Sequence, residues 1–338
     1  MPSALIIGCA GPALTRSEIA FIKDVDPWGF IIFRRNIETP AQLKSLTDSF
    51  RDAVGRVEAP VLVDQEGGRV QRLGPPHWSK YPAGRAYGRL RANDPLTGRE
   101  IARLGARLIA HDLRSVGVTV DCMPVLDVPS PGAHDVIGDR AYADGADGVA
   151  VLGRAVAEGL LAGGVLPVIK HAPGHGRAGA DSHEALPVVD ASLSQLEIRD
   201  FAPFRVLADM PIAMTAHVVY RAIDPYNPAT TSKKVMRRVI RGMIGFDGLV
   251  VSDDLSMKAL NGSFAERSEA AIKAGCDMLL HCNGDMAEMM AVASAAPPLA
   301  GAAKRRAAAA LARIRHAVEP LDVVEARARF DAALAAVA

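Results

Sequence analysis

Val165-Leu166-Pro167-Val168-Ile169-Lys170-His171-Ala172-Pro173-Gly174-His175-Gly176 is an apolar run that empties into charged and loop-forming residues. An apolar stretch with no polar alternation is the pattern of a strand covered on both faces, as in a parallel sheet. The proline and glycines behind it make a loop with wide backbone freedom. Similar short runs recur at Ala4–Gly8, Gly29–Phe33, Pro60–Asp64, Val116–Asp121, Pro211–Thr215, Leu249–Ser252 and Met278–His281, which with Val165–Lys170 makes eight candidate strands. Between most of them lie stretches of helical periodicity: Ala41–Val54, Arg99–Ser115, Ala146–Ala162, Leu193–Leu207, Ser232–Met243, Glu266–Ala274 and Asp285–Ala295. Strands alternating with helices read as βα units around a parallel sheet.

Eight such units predict an α/β chain folded as a closed (β/α)8 TIM-type barrel. No GxGxxG follows the first run, which weakens the open, dinucleotide-binding alternative. A barrel of this kind takes about 250 residues. The rest of the 338 residues is assigned to two long loops, Gln65–Asn93 and Cys122–Gly145, and to an Ala-rich helical tail from Ala302 onward. No linker or repeat divides the chain, so a single domain over residues 1–338 is expected, acting as a monomer.

Composition narrows the function. Hydrophobic residues make up 49% and charged residues 23%, which excludes disorder or a coiled coil as the dominant state. The 39 basic and 38 acidic side chains cancel to a net charge of +1. Nucleic acid is therefore not expected as a partner, because phosphate contacts need a surplus of Lys and Arg. The cluster Lys233, Lys234, Arg237, Arg238 and Arg241 reads as a solvated helix face. Cys9, Cys122, Cys276 and Cys282 show no CxxC spacing, consistent with a reducing compartment. No apolar run reaches the ~18 residues of a membrane span. Leu5-Ile6-Ile7-Gly8-Cys9 has the local look of a lipoprotein cleavage site, but no Lys or Arg precedes it and the apolar stretch is short. It is read as a buried first strand, and the protein is expected in the cytoplasm.

Polar residues gather where the strands end, which is where barrels carry chemistry. Val61–Val63 runs into Asp64-Gln65-Glu66-Gly67-Gly68-Arg69, Ala213–Thr215 into Ala216-His217, and Val250–Ser252 into Asp253-Asp254. A charged group at the end of an apolar strand must be solvated, paired or in a site. The loop from Lys170 closes on Asp181-Ser182-His183. Residues two apart in an extended stretch project to the same side, so Asp181 could orient His183 and favour its protonated ring. Such a histidine could give a proton and take one back. An ordinary surface Asp–His pair fits the spacing as well. Alternation sends Asp253 to the same side as Val251 and Asp254 to the other, so one carboxylate would face the pocket and one would lie behind it. Simple capping of the next helix by both is the bland alternative.

Taken together, these motifs resemble family 3 glycoside hydrolases. Lys170-His-Ala-Pro-Gly-His-Gly176, Asp181-Ser-His183 and Gly245-Phe-Asp-Gly-Leu-Val-Val-Ser-Asp253-Asp-Leu-Ser-Met257 are closest to the single-domain bacterial β-N-acetylhexosaminidases of peptidoglycan recycling. Asp64-Gln-Glu-Gly-Gly-Arg-Val70, Ile137-Gly-Asp-Arg140 and Met214-Thr-Ala-His217 fit the same pattern, and the similarity runs from about Gly29 to Asn283. The resemblance implies a retaining mechanism with Asp253 as nucleophile, His183 as general acid/base and Asp181 as its partner. It implies sugar-binding positions at Asp64, Arg72, Arg140, Lys170 and His171, no metal and no cofactor. Its substrate would be terminal β-N-acetylglucosamine on muropeptides, carried on 1,6-anhydro-N-acetylmuramic acid. Two departures lie in the His183 loop: Ala172 replaces a usual aromatic residue, and Arg177-Ala178 replaces a common Asp-Thr. They bear on the packing of that loop.

Other readings stay open at this level. His171, His175, His183, His217 and Asp253 could surround zinc, although they lack HExxH spacing and the three fixed ligands of a catalytic site. A neutral histidine repels phosphate less than a carboxylate does, so a β-N-acetylglucosaminide phosphorylase is the main alternative. A non-catalytic sugar-binding protein would need neither Asp253 nor His183. β-Glucosidases of the family usually draw a Glu acid/base from an additional domain, where this chain has the His183 loop.

Overall fold

The computed structural model describes residues 1–336. Eight parallel strands close a barrel: Ser3–Ile7, Pro27–Ile32, Val61–Val63, Val120–Asp121, Leu166–Ala172, Ile212–Thr215, Leu249–Asp254 and Met278–His281. Each pairs with its neighbours in chain order, and the first closes on the eighth with Leu5 opposite Leu279. Every strand falls on one of the eight apolar runs, so the (β/α)8 reading holds.

The strands are apolar without interruption because both faces are covered. Leu5, Ile7, Phe30, Ile32, Val61 and Val63 face outward into the shell between barrel and helices. Ile6, Ile31, Leu62, Val120, Val168, Met214, Val251 and Leu280 fill the barrel interior. Period-two alternation thus distributes residues between two buried layers rather than between core and water. The fourth strand is shorter than expected, Val120–Asp121 instead of Val116–Asp121. The preceding helix, Pro95–Ser115, runs up to Ser115, and Val116 and Gly117 are used in the turn that leaves it.

The helices carry ordinary end signals. Pro40–Val54 starts behind Thr39, whose side chain accepts from the Gln42 amide, and has Pro at its first turn. Arg16–Val25 opens with a capping box in which Thr15 and Glu18 satisfy each other's backbone amides. Gln65–Asn93 is not a plain loop. It holds an antiparallel hairpin, Gln65–Gly67 with Val70–Gln71, and a helix, Gly84–Asn93. In that helix Gly88 lies against the Tyr142 carbonyl so closely that a Cβ would sit 1.9 Å from it. Gly84 makes a similar approach to the Arg140 carbonyl, so both helix glycines serve close packing on the next loop. The expected helix over Leu193–Leu207 is broken into Leu193–Gln195, a π-type turn Leu196–Asp200, and Ala202–Val206. The Ala-rich tail forms Gly301–Ala312 and Val323–Ala335, and its last two residues lie outside those described. Among the described residues no helix is long and apolar enough to cross a membrane, and the four cysteines are free and buried.

Candidate active site

A cavity opens at the C-terminal ends of the strands. Its lining includes Asp64, Glu66, Arg72, Arg140, Lys170, His171, His175, Ser182, His183, Met214, Asp253 and Asp254. Every sugar-binding and catalytic position inferred from the sequence is among them except Asp181, which stands beside His183.

The strand ends hold a charge network. Lys170, on the fifth strand, donates to Asp64 Oδ1 at 2.8 Å and pairs with Glu66 Oε1 at 2.6 Å. Arg140 grips both oxygens of Glu66, Nε to Oε2 and Nη2 to Oε1, at 2.8 Å each. Arg72 reaches Asp64 Oδ2 at 3.3 Å. Burial by itself would raise both carboxyls, but Lys170 and Arg72 hold Asp64 below its ordinary value, and Arg140 and Lys170 do the same to Glu66. Burial by itself would lower Lys170, yet Asp64 and Glu66 keep its ammonium firmly charged. The result is a rigid rim of fixed donors and acceptors, suited to the hydroxyl groups of a polar ligand. Glu66 was not among the expected site residues. It stands two after Asp64, and period-two spacing would have put both on one side.

On the adjoining wall His171 Nδ1 lies 2.7 Å from Asp127 Oδ2. Asp127 also accepts the backbone amides of His171 and His175, at 3.2 and 2.6 Å. The carboxylate can only accept, so Nδ1–H donates to it and Nε2 is left as the ring atom for a ligand. Asp127 is fully buried behind the apolar run Met123–Leu126 and carried no flag in the sequence.

Asp253 sits at the end of the seventh strand and accepts the Asp254 amide at 2.8 Å. Burial alone would raise its carboxyl; His217 first, then His171, the Asp254 amide and Lys170 bring it below the ordinary value. His217 is itself pushed down by burial and is uncharged at neutral pH. The Asp254 amide and the Lys170 ammonium lower the Asp253 carboxyl at any pH near neutrality. His217 Nε2 lies 3.0 Å from the Asp254 carbonyl, which only accepts, so Nε2 carries the proton. Its Nδ1 then accepts from the Thr230 hydroxyl at 2.7 Å. The Asp254 carboxylate is turned to the Ser256 and Cys282 amides, at 3.0 and 3.1 Å. One Asp thus faces the cavity with a free oxygen, and its neighbour ties two loops together.

The His183 segment forms the third wall. His183 Nδ1 is 2.8 Å from Asp181 Oδ1, and the same oxygen accepts the His183 amide at 2.9 Å. The pair meets through an Asx turn, not through an extended stretch as the spacing suggested. Two donors on one oxygen hold Asp181 below its ordinary value against the raising effect of partial burial. The His183 side chain is 68% exposed, so Nε2 is reachable from solvent and cavity alike. Ser182 links the turn to the barrel: its hydroxyl lies 3.3 Å from His175 Nε2, and its carbonyl accepts the Ala259 amide at 3.2 Å. The departures Arg177 and Ala178 have definite places. Arg177 pairs with the buried Asp200 at 2.7 Å, and Ala178 is buried with its carbonyl accepting the His134 amide at 2.9 Å. Gly176 is required, since a Cβ there would lie 2.0 Å from the Val128 carbonyl. Among the described residues, no three His, Cys, Asp or Glu side chains converge as a metal site demands.

One polar cleft at the C-terminal rim of the barrel thus carries both a carboxylate, Asp253, and an imidazole, His183. Residues 10–317 match the family described as glycosyl hydrolase family 3 N terminal domain, and the chain belongs to that family. Within it, the chain is 39% identical over 283 residues to the β-hexosaminidase of Methylobacillus flagellatus, covering 82% of this chain and 80% of that protein. It is 40% identical to the β-hexosaminidase of Alkalilimnicola ehrlichii over a similar span. Among solved structures, NagZ from Neisseria gonorrhoeae in complex with N-trifluoroacetyl-D-glucosamine superposes with a TM-score of 0.85 at 32% identity, covering 99% of this chain and 97% of that one. A family 3 β-N-acetylglucosaminidase from Paenibacillus sp. str. FPU-7 gives 0.87 at 30% identity, and this chain spans 66% of it.

Proposed function

We propose that the protein is a retaining exo-β-N-acetylglucosaminidase that removes terminal non-reducing N-acetylglucosamine from muropeptides during cell-wall recycling. It would work in the cytoplasm as a monomer with one catalytic domain. The observation that carries the reading is one cavity lined by Asp253, which has a free carboxylate oxygen, and by the Asp181-oriented His183. The relatives' names supply the sugar.

Asp253 attacks the anomeric carbon while His183 Nε2 gives its proton to the departing oxygen. The glycosidic C–O bond breaks as the C–O bond to Asp253 forms. Water then gives a proton to His183 and displaces Asp253, so two inversions return the original configuration. Asp181 holds the ring through Nδ1 and so leaves Nε2 as the atom that gives and takes the proton. Asp64, Lys170, Arg140, Arg72 and His171 bind the sugar hydroxyls and fix the ring, with Glu66 keeping the cations in place.

A chromogenic N-acetylglucosaminide tests this directly. Asp253→Ala removes hydrolysis. His183→Ala slows both formation and breakdown of the glycosyl-enzyme, by about a hundredfold or more for a leaving group that needs a proton. A slow fluorinated glycoside should label Asp253, and labelling of another side chain, or normal kcat in either variant, rejects the assignment.

A further inference from the structure

We infer that a groove beside the His183 turn, ending on the cations Lys233, Lys234, Arg237 and Arg238, holds the leaving-group part of the substrate and is selective for leaving groups that carry carboxylates. The inference rests on the hydrolase reading above and adds a second binding region to it.

The groove runs through two depressions that share Asn227 and Thr231. Ala259 donates its amide to Ser182 in the His183 turn, and Ala259 and Leu186, three residues past His183, line the first depression beside that turn. Tyr226 lines the same depression and is 83% exposed. An exposed aromatic ring beside a cleft offers an apolar face with a polar tip. Asn227 and Thr231 form the far wall of this depression and the near wall of the next. That second depression is lined by Lys233, Lys234, Arg237 and Arg238. Topology puts both on the catalytic side. The helix Val235–Met243 lies between the sixth strand and the parallel seventh, so its first turn stands near the C-terminal ends of the strands.

Among the described residues the four cations have no partner of their own. All four are exposed, and none makes an ion pair among the described residues. The nearby carboxylate of Asp224 is taken up by the Ser232 hydroxyl at 2.7 Å and by Asn227. Arg241, which the sequence grouped with them, is different: it turns inward to Asp277 at 2.7 Å. Four free like charges in about two turns repel one another and oppose the helix dipole. A chain with a net charge of +1 has no general cationic surplus to explain them. A peptide stem with carboxylates leaving from the His183 side would run along Tyr226 and place negative charge against this cluster.

The experiment compares three N-acetylglucosaminides: one with a 4-nitrophenyl leaving group, one with a muropeptide leaving group bearing free carboxylates, and the same muropeptide with those carboxylates amidated. Replacing all four cations by Gln should raise KM for the free-carboxylate substrate about tenfold, and added salt should do the same to the unaltered enzyme. The amidated substrate should show neither effect. Tyr226→Ala should raise KM for both muropeptides relative to the 4-nitrophenyl glycoside. Equal KM changes for the free and amidated forms overturn the inference while leaving the hydrolase intact, as does capture by anionic phosphatidylglycerol vesicles with an unchanged KM ratio. Absence of 4-nitrophenol release by the unaltered enzyme rejects the hydrolase reading and the inference with it.

Discussion

Glu66 is the residue on which the cationic side of the cavity turns. Its two oxygens take one contact from Lys170 and two from Arg140, and its side chain is 6% exposed. Glu66→Gln keeps the shape but leaves two charged groups short of a counter-charge in a buried setting. Removing one partner of a buried pair costs about 3 kcal/mol or more. The variant should therefore unfold at lower denaturant and bind the sugar more weakly, with KM raised while the covalent step at Asp253 persists. Unchanged stability in a urea titration would mean that water replaces the lost oxygen. Asp64, Lys170, His171, Asp253, Asp181 and His183 could be found in the sequence because each is a polar group where an apolar run ends, or one of a close pair. Glu66 stands in the same polar run as Asp64 and is found only through its period-two spacing from it, and Asp127 could not be found that way at all. One hides in a three-residue strand, and the other acts from behind through atoms that its neighbours present.

At the scale of elements, the barrel was legible because a strand buried on both faces leaves an unbroken apolar run, as in Leu249–Val251 and Met278–Leu280. The hairpin at Gln65–Gln71 was not, because strands of two or three residues carry too few side chains to show a period. The His183 loop shows the same limit: its glycines predict freedom, while the structure ties its base down. Arg177 and Asp200 form that tie. Burial raises the Asp200 carboxyl, Arg177 offsets part of the rise, and Oδ1 of Asp200 has no hydrogen-bond partner among the described residues. Arg177→Ala should leave Asp200 protonated or strained, at a cost of about 2 kcal/mol. It should also speed hydrogen exchange across Gly174–His183 and lower kcat more than it changes KM, since the turn must bring His183 to the bond. Exchange that is unchanged in this segment would separate the loop's motion from its base.

The whole molecule couples this machinery to its stability through pH. His175 is packed between Asp127 and Ser182 and is held down to about 4 from an ordinary 6.5, first by burial. The folded protein therefore refuses a proton that the unfolded chain accepts. Stability from this group is complete above pH 6.5 and drains away as the pH falls to about 4, a loss of roughly 3 kcal/mol. Asp127 acts in the next window. Burial raises it, but His171 and the amides it accepts hold it down to about 2, below its ordinary 3.8. It keeps its charge in the fold when the unfolded chain has lost it, so a further loss of roughly 2 kcal/mol follows between pH 3.8 and 2. Both act in the same direction, His175 from the lining of the cavity and Asp127 from behind it. Acid should therefore loosen the His183 side of the cavity before the rest of the barrel. Calorimetric melts between pH 7 and 4 should show the melting temperature falling by roughly 5 °C or more. His175→Gln, which removes the titrating ring but keeps a donor for Ser182, should flatten the part of that decline above pH 4. An equal decline in the variant would move the acid sensitivity to other groups and leave His175 a packing residue alone.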